Sequence, residues 1–232
     1  MTNITHWTKN SLPLLLLLTV MLISCGEDHA MKKEKFYFEE EHIAWLPADT
    51  LDDVFLMRDN NGITTSFYKN GDDYYFNKSW TSVLGINTRM SLTEYRYLNY
   101  RSPFGQELHI SLTAGYPPYG DELYVSLNGT AFSWDFNFKT ITRLEYGDRY
   151  LSKMMVDDDY EETDKIYSTV EFLDTLRTAE KLYHNVMHFT FLDQEPGGDL
   201  HPFGVKHIYL AKNQGLVRYD LENGMWYERV SE

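Results

Sequence analysis

Residues 106–113 set Leu108, Ile110 and Leu112 on one face and His109, Ser111 and Thr113 on the other. A period of two is the mark of a half-buried strand, because successive side chains of an extended chain point to opposite sides. Residues 122–127 repeat it, Asn128 and Gly129 supply a turn, and residues 131–138 return with Phe132, Trp134, Phe136 and Phe138 in phase. These four rings are expected in a core. Between the first two strands, Gly115 to Gly120 contains Pro117 and Pro118 and cannot be a central strand, since proline gives no ladder donor. It is expected to be a loop exposing Tyr116 and Tyr119.

Turn chemistry recurs along the chain. Residues 54–58 and 63–68 flank Asp59, Asn60, Asn61 and Gly62, the composition of a tight hairpin turn. A second turn is expected at Lys69, Asn70, Gly71 and Asp72, leading into a third strand over 73–77. Residues 173–186 carry a helical period. Their Thr and Tyr content, with the turn-like Thr178, Ala179, Glu180 and Lys181, predicts two strands around a turn instead. Near the end, Leu216, Arg218 and Asp220 alternate with Val217, Tyr219 and Leu221, and Asn223 with Gly224 forms a turn that brings Trp226 back across the strands. This hairpin is expected to complete the last edge of the sheet. The fold class predicted is all-β: a mainly antiparallel sheet, sandwiched or strongly curved, with few or no long helices, in a single domain over 36–232. Two irregular loops are expected in it, the acidic stretch 157–164 and the Gly- and Pro-rich stretch 194–202.

Upstream of that domain, residues 14–23 are apolar except for Thr19 and follow a short n-region whose one charge is Lys9. Ten residues at 1.5 Å reach about 15 Å, half of a hydrocarbon core, which suits a signal sequence and not a span. The run Leu22, Ile23, Ser24, Cys25 resembles the lipobox of a bacterial lipoprotein. The resemblance implies cleavage after residue 24, lipidation of Cys25, and attachment to a membrane of the cell envelope, expected to be the outer membrane. Cys25 is the one cysteine of the chain, so no internal disulfide can form. Residues 25–35 read as a polar tether. Glu27 and Asp28 are similar to the acidic export signals of surface lipoproteins of the Bacteroidetes type, and equally to a plain solvated linker.

The closing runs I-Y-L-A-K from Ile208, G-L-V-R-Y from Gly215 and E-N-G-M-W from Glu222 resemble the terminal hairpin of uncharacterised Bacteroidetes-type lipoproteins. L-Y-H-N-V-M from Leu182, and Trp45, Leu46, Pro47 with Asp59 to Gly62, resemble their upstream elements. The resemblance implies a lipid-anchored, β-rich domain and carries over no catalytic residues.

Charge narrows the partners. With 21 Lys and Arg against 35 Asp and Glu the chain carries −14, which disfavours nucleic acid and anionic membrane surfaces. Among candidate ligand groups, His184 and His188 stand four apart, and with His201 and His207 they could surround zinc, although no HExxH pattern is present. Asp157, Asp159 and Glu161 offer alternate carboxylates for calcium, but Glu162 stands where the EF-hand loop needs glycine. No cofactor is implied. No G-x-S-x-G elbow, P-loop or GxGxxG motif occurs, and no carboxylate pair can be singled out for a glycosidase. With 18 Tyr and five Trp, exposed rings such as Tyr116 and Tyr119 could stack on sugars, while aromatics also serve simply as good strand formers. The expected function is a non-enzymatic binding or structural role on the envelope membrane. The alternatives are a glycan-binding module of the cell surface, a carrier of a hydrophobic ligand, a subunit contacting other envelope proteins, and a hydrolase.

Overall fold

A computed structural model describes residues 32–47, 53–83, 86–146, 149–152, 168–191 and 204–231. The fold is all-β and antiparallel, with fourteen strands in one sheet among the described residues. In chain order these are β1 (Lys32–Phe36), β2 (Val54–Asp59), β3 (Thr64–Val83), β4 (Ile86–Arg101), β5 (Glu107–Thr113), β6 (Glu122–Leu127) and β7 (Thr130–Asp135), followed by β8 (Thr140–Tyr146), β9 (Arg149–Ser152), β10 (Ser168–Arg177), β11 (Leu182–Phe191), β12 (Val205–Ala211), β13 (Gly215–Leu221) and β14 (Trp226–Val230). One short helix, α1 (Glu40–Ile43), lies between β1 and β2. Among the described residues no helix is long and apolar enough to cross a membrane.

The sheet runs β10-β11-β12-β13-β14-β2-β3-β4-β5-β6-β7-β8-β9, and β1 pairs with β4. Local hairpins explain most of it. The expected pairs around Asp59–Gly62, Asn128–Gly129, Thr178–Lys181 and Asn223–Gly224 all form, with Gly62, Asn128, Gly129 and Gly224 at positive φ. The terminal hairpin does not complete an edge. Its last strand pairs with β2, Tyr227 opposite Asp59 and Val230 opposite Leu56, so β14 is interior to the sheet. Trp226 does pack back across the strands, under the Arg218 guanidinium at 5.3 Å.

Three other expectations are corrected. No turn occurs at Lys69–Asp72, where β3 runs straight through. Gly71 serves closeness instead of a bend: a Cβ there would stand 3.1 Å from the ring of Tyr97 on β4. Phe138 leaves the core, 53 % exposed, because the Asp135 carboxylate accepts from the N–H groups of Asn137 and Phe138 and ends β7. The tether expected over 25–35 ends earlier, since Lys32 already belongs to β1. Strand pairing needs only the backbone, and Lys33 and Lys35 stay exposed.

Packing divides the chain into two units. The smaller comprises residues up to Glu34 with Trp80–Met90, and thus the start of β1, the end of β3 and the start of β4. The larger comprises Lys35–Ser79 and Ser91–Glu232 and holds the cleft and the histidine cluster described below. Within the larger unit, Phe132 on β7 stacks on Phe189 of β11, ring centres 3.3 Å apart, and Trp134 meets Phe172 of β10 at 5.9 Å. These strands stand near opposite ends of the strand order. The sheet of this unit therefore curls almost into a barrel, and its inner face is filled by Phe67, Leu98, Ile110, Leu123, Met187 and Tyr219 among others.

Candidate functional site

A cleft of about 410 Å³ opens in the larger unit where α1, the β7–β8 turn and the β10–β11 pair meet. Trp45, Trp134, Phe136 and Phe172 give it aromatic walls, and Glu41, His42, Lys139, Asp174, Asn185 and Lys212 give it polar edges. The two tryptophans are buried and back the cleft, whereas Phe172 is 55 % exposed. Lys212 Nζ stands 5.3 Å from the Trp45 ring.

Two buried carboxylates hold α1 against the sheet. Glu94 Oε2 accepts from the N–H of Phe38 at 2.8 Å, and Glu94 Oε1 accepts from the Tyr74 hydroxyl at 2.6 Å. Asp121 accepts from the N–H of Gly115 through Oδ1 and from the N–H of Glu39 through Oδ2. The same Oδ2 takes His42 Nδ1 at 2.9 Å. On the other side of the ring, Nε2 stands 3.7 Å from Glu41 Oε1. The imidazole also stacks on Phe136 at 3.9 Å, so its orientation is set on two sides. Glu39, Glu41 and His42 each bring one ligand-type atom within 4.8 Å of the others.

Beside the cleft the loop 115–120 carries Tyr116 and Tyr119, both exposed as expected. They join a row of rings at 5.3–6.1 Å, Phe36, Tyr116, Tyr119 and Phe138, which meets the cleft at the β7–β8 turn. The rings lie at 55–74° to one another and form a stepped row instead of a flat platform. A Cβ on Gly115 would overlap the carbonyl of Gly120, which is why the loop can fold back so tightly.

The histidines sort differently from their sequence spacing. His184 is exposed, and Asn185, within β11 between it and His188, takes a φ of 53°. His188 instead meets His207 of β12, Nε2 to Nδ1 at 3.1 Å, with the Thr190 hydroxyl 3.2 Å from both nitrogens. Burial pushes both imidazoles below the ordinary histidine value and so favours their neutral forms. Burial likewise raises the neighbouring Tyr209 phenol to about 12. Cys25, His201, Asp157, Asp159, Glu161 and the loop 194–202 lie outside the described residues.

His42 at the cleft and Asp121, which holds it from behind, carry no signal that links them in sequence, being 79 positions apart. The acidic run Glu39–Glu41 beside a histidine was the one local hint. Comparison with known protein families, curated proteins and solved structures gives no match.

Proposed function

We propose that this protein is a binding module, tethered to a membrane of the cell envelope through Cys25, whose cleft takes a carbohydrate-class ligand. The observation that carries the reading is the cleft itself. Aromatic walls suit the apolar face of a sugar ring, and the edges offer the donors and acceptors its hydroxyls need. About 410 Å³ lies within the range of small-molecule sites and suits one or two sugar rings. A carrier of a hydrophobic ligand is less well supported, because the Phe132–Phe189 stack fills the interior that such a ligand would occupy. The row from Phe36 to Phe138 would extend the contact of a longer chain of sugars.

The test is a glycan array with the full chain in detergent, followed by calorimetry on the best hit. Phe172→Ala removes one exposed wall and should weaken binding about tenfold, the loss of roughly 1.4 kcal/mol of stacking. Failure of every glycan to bind, or binding indifferent to Phe172→Ala and Trp134→Ala, would overturn the assignment. The tether is tested separately: Cys25→Ala should abolish acyl labelling and release the protein from the membrane fraction.

A second reading, hydrolysis, is favoured by the Asp121–His42 pair, which presents an oriented imidazole nitrogen beside Glu41. Release of nitrophenol from aryl glycosides by the wild type, lost in His42→Ala, would select it over simple binding.

A further inference from the structure

The outer face of β11 and β12 carries a second constellation, independent of the cleft. Thr190 stands directly opposite His207 in the strand register, and His188 precedes Thr190 by two residues on the same face. His188 is itself opposite Tyr209 and stacks flat on it, ring centres 4.3 Å apart at 6°. The three polar atoms His188 Nε2, His207 Nδ1 and Thr190 Oγ1 form a nearly equilateral triangle with edges of 3.1, 3.2 and 3.2 Å. Neighbouring ligands around an ion with bonds of 2.0–2.1 Å are separated by about 3.0 Å in octahedral and 3.4 Å in tetrahedral geometry. All three edges fall between those limits.

The three atoms can hydrogen-bond one another, and they can equally be offered together to one ion. Glu171 Oε2 lies 3.6 Å from His188 Nδ1, which favours the proton on that nitrogen and leaves Nε2 an acceptor. With both imidazoles neutral and the His207 proton on Nε2, His188 Nε2, His207 Nδ1 and Thr190 Oγ1 each have a lone pair available within 3.2 Å of the other two. One cation would take all three lone pairs in place of these hydrogen bonds. A carboxylate behind a ligating imidazole is the usual support of such a site. The nearby Arg218 does not oppose a cation strongly, being paired with Asp220 at 2.7 and 3.2 Å and with Glu228 at 3.0 Å.

We propose that His188, His207 and Thr190 form a site for one divalent transition-metal ion of the zinc, nickel or copper class, with water completing the coordination. Imidazole nitrogen selects this class over calcium or magnesium, which prefer oxygen.

The experiment titrates Zn²⁺ and Co²⁺ into the full chain, purified without a polyhistidine tag and stripped with chelator. Calorimetry and the cobalt absorption bands report stoichiometry and ligand field. One equivalent should bind at this site. His188→Ala and His207→Ala should each weaken it at least about 100-fold, and Glu171→Gln about tenfold, as for supporting groups elsewhere. His184→Ala, on the same strand but away from the triangle, should leave it unchanged. To cover variants that fail to fold, imidazole ¹⁵N resonances of the wild type are followed during the Zn²⁺ titration, and His188 and His207 should shift together. Absence of binding at millimolar ion, binding that survives both histidine substitutions, or two resonances that stay in place would each overturn the proposal.

Discussion

Two constellations on the outer face of the sheet share one register and differ in the ring that lies diagonal to the histidine. On β11, His188 and Thr190 stand two apart, and Thr190 is opposite His207. On β5, His109 and Ser111 stand two apart, and Ser111 is opposite Tyr124. Each is a histidine followed by a hydroxyl residue, with a diagonal ring on the next strand. Where that ring is His207, three polar atoms converge within 3.2 Å. Where it is Tyr124, the rings meet edge to face at 5.1 Å, with Tyr97 closing the other side at 4.3 Å. His109 Nε2 is then buried without a hydrogen-bond partner among the described residues. Strand register delivers the corners of a triangle in both places. Whether a corner packs or coordinates depends on which atom the diagonal residue sends into it.

The largest test of this comparison is to make the two places alike. Tyr124→His should add a second equivalent of bound Co²⁺ to the full chain, and the added equivalent should disappear again in Tyr124→His combined with His109→Ala. A stoichiometry that stays at one would mean that register and residue type together are insufficient. A smaller effect is expected from Thr190→Val, which keeps the shape of the third corner but removes its oxygen. Metal affinity should fall about tenfold, with thermal stability in chelator little changed. An affinity equal to wild type would reduce the native site to its two imidazoles.

The smallest effect concerns the unpaired member of the comparison. Burial holds His109 below the ordinary histidine value. Between the two values the unfolded chain binds the proton and the folded chain does not. Stability from this group is therefore complete above about pH 6.5 and is lost as the pH falls below it. His109→Phe should flatten part of the decline in urea midpoint measured in chelator from about pH 7.5 to about pH 5.5. A decline identical to wild type would show that His109 does not titrate as a buried ring should.

The strands were readable because their signals are local. The period of two in β5 and β6 and the Asn-Gly turns at 128–129 and 223–224 involve residues within a few positions of one another. The turn expected at Lys69–Asp72 failed for a non-local reason: Gly71 answers to Tyr97 on the neighbouring strand, and Asn-Gly chemistry alone does not reveal that. Phe138 failed through Asp135, whose side chain ends the strand before the alternation does. The cleft was less accessible still. Its walls come from α1, the β7–β8 turn and the β10–β11 pair, and Asp121 reaches His42 only after the sheet has curled. His188 and His207 were both visible as ligand candidates, grouped with His184 and His201 and without any sign of which pair would meet. Register across β11 and β12 is what selects His207 among them.

The pairing of β14 with β2 has a consequence for how the molecule is made. The first hairpin of the larger unit, β2 with β3, can form early, yet one side of β2 waits for a strand that leaves the ribosome among the last described residues. Until then, the row of backbone donors and acceptors along β2 is open to any other extended chain. Closure of so distant a pair is entropically slow compared with the hairpins around it. The larger unit thus stays an unfinished ribbon until β14 arrives, and that strand acts as the latch.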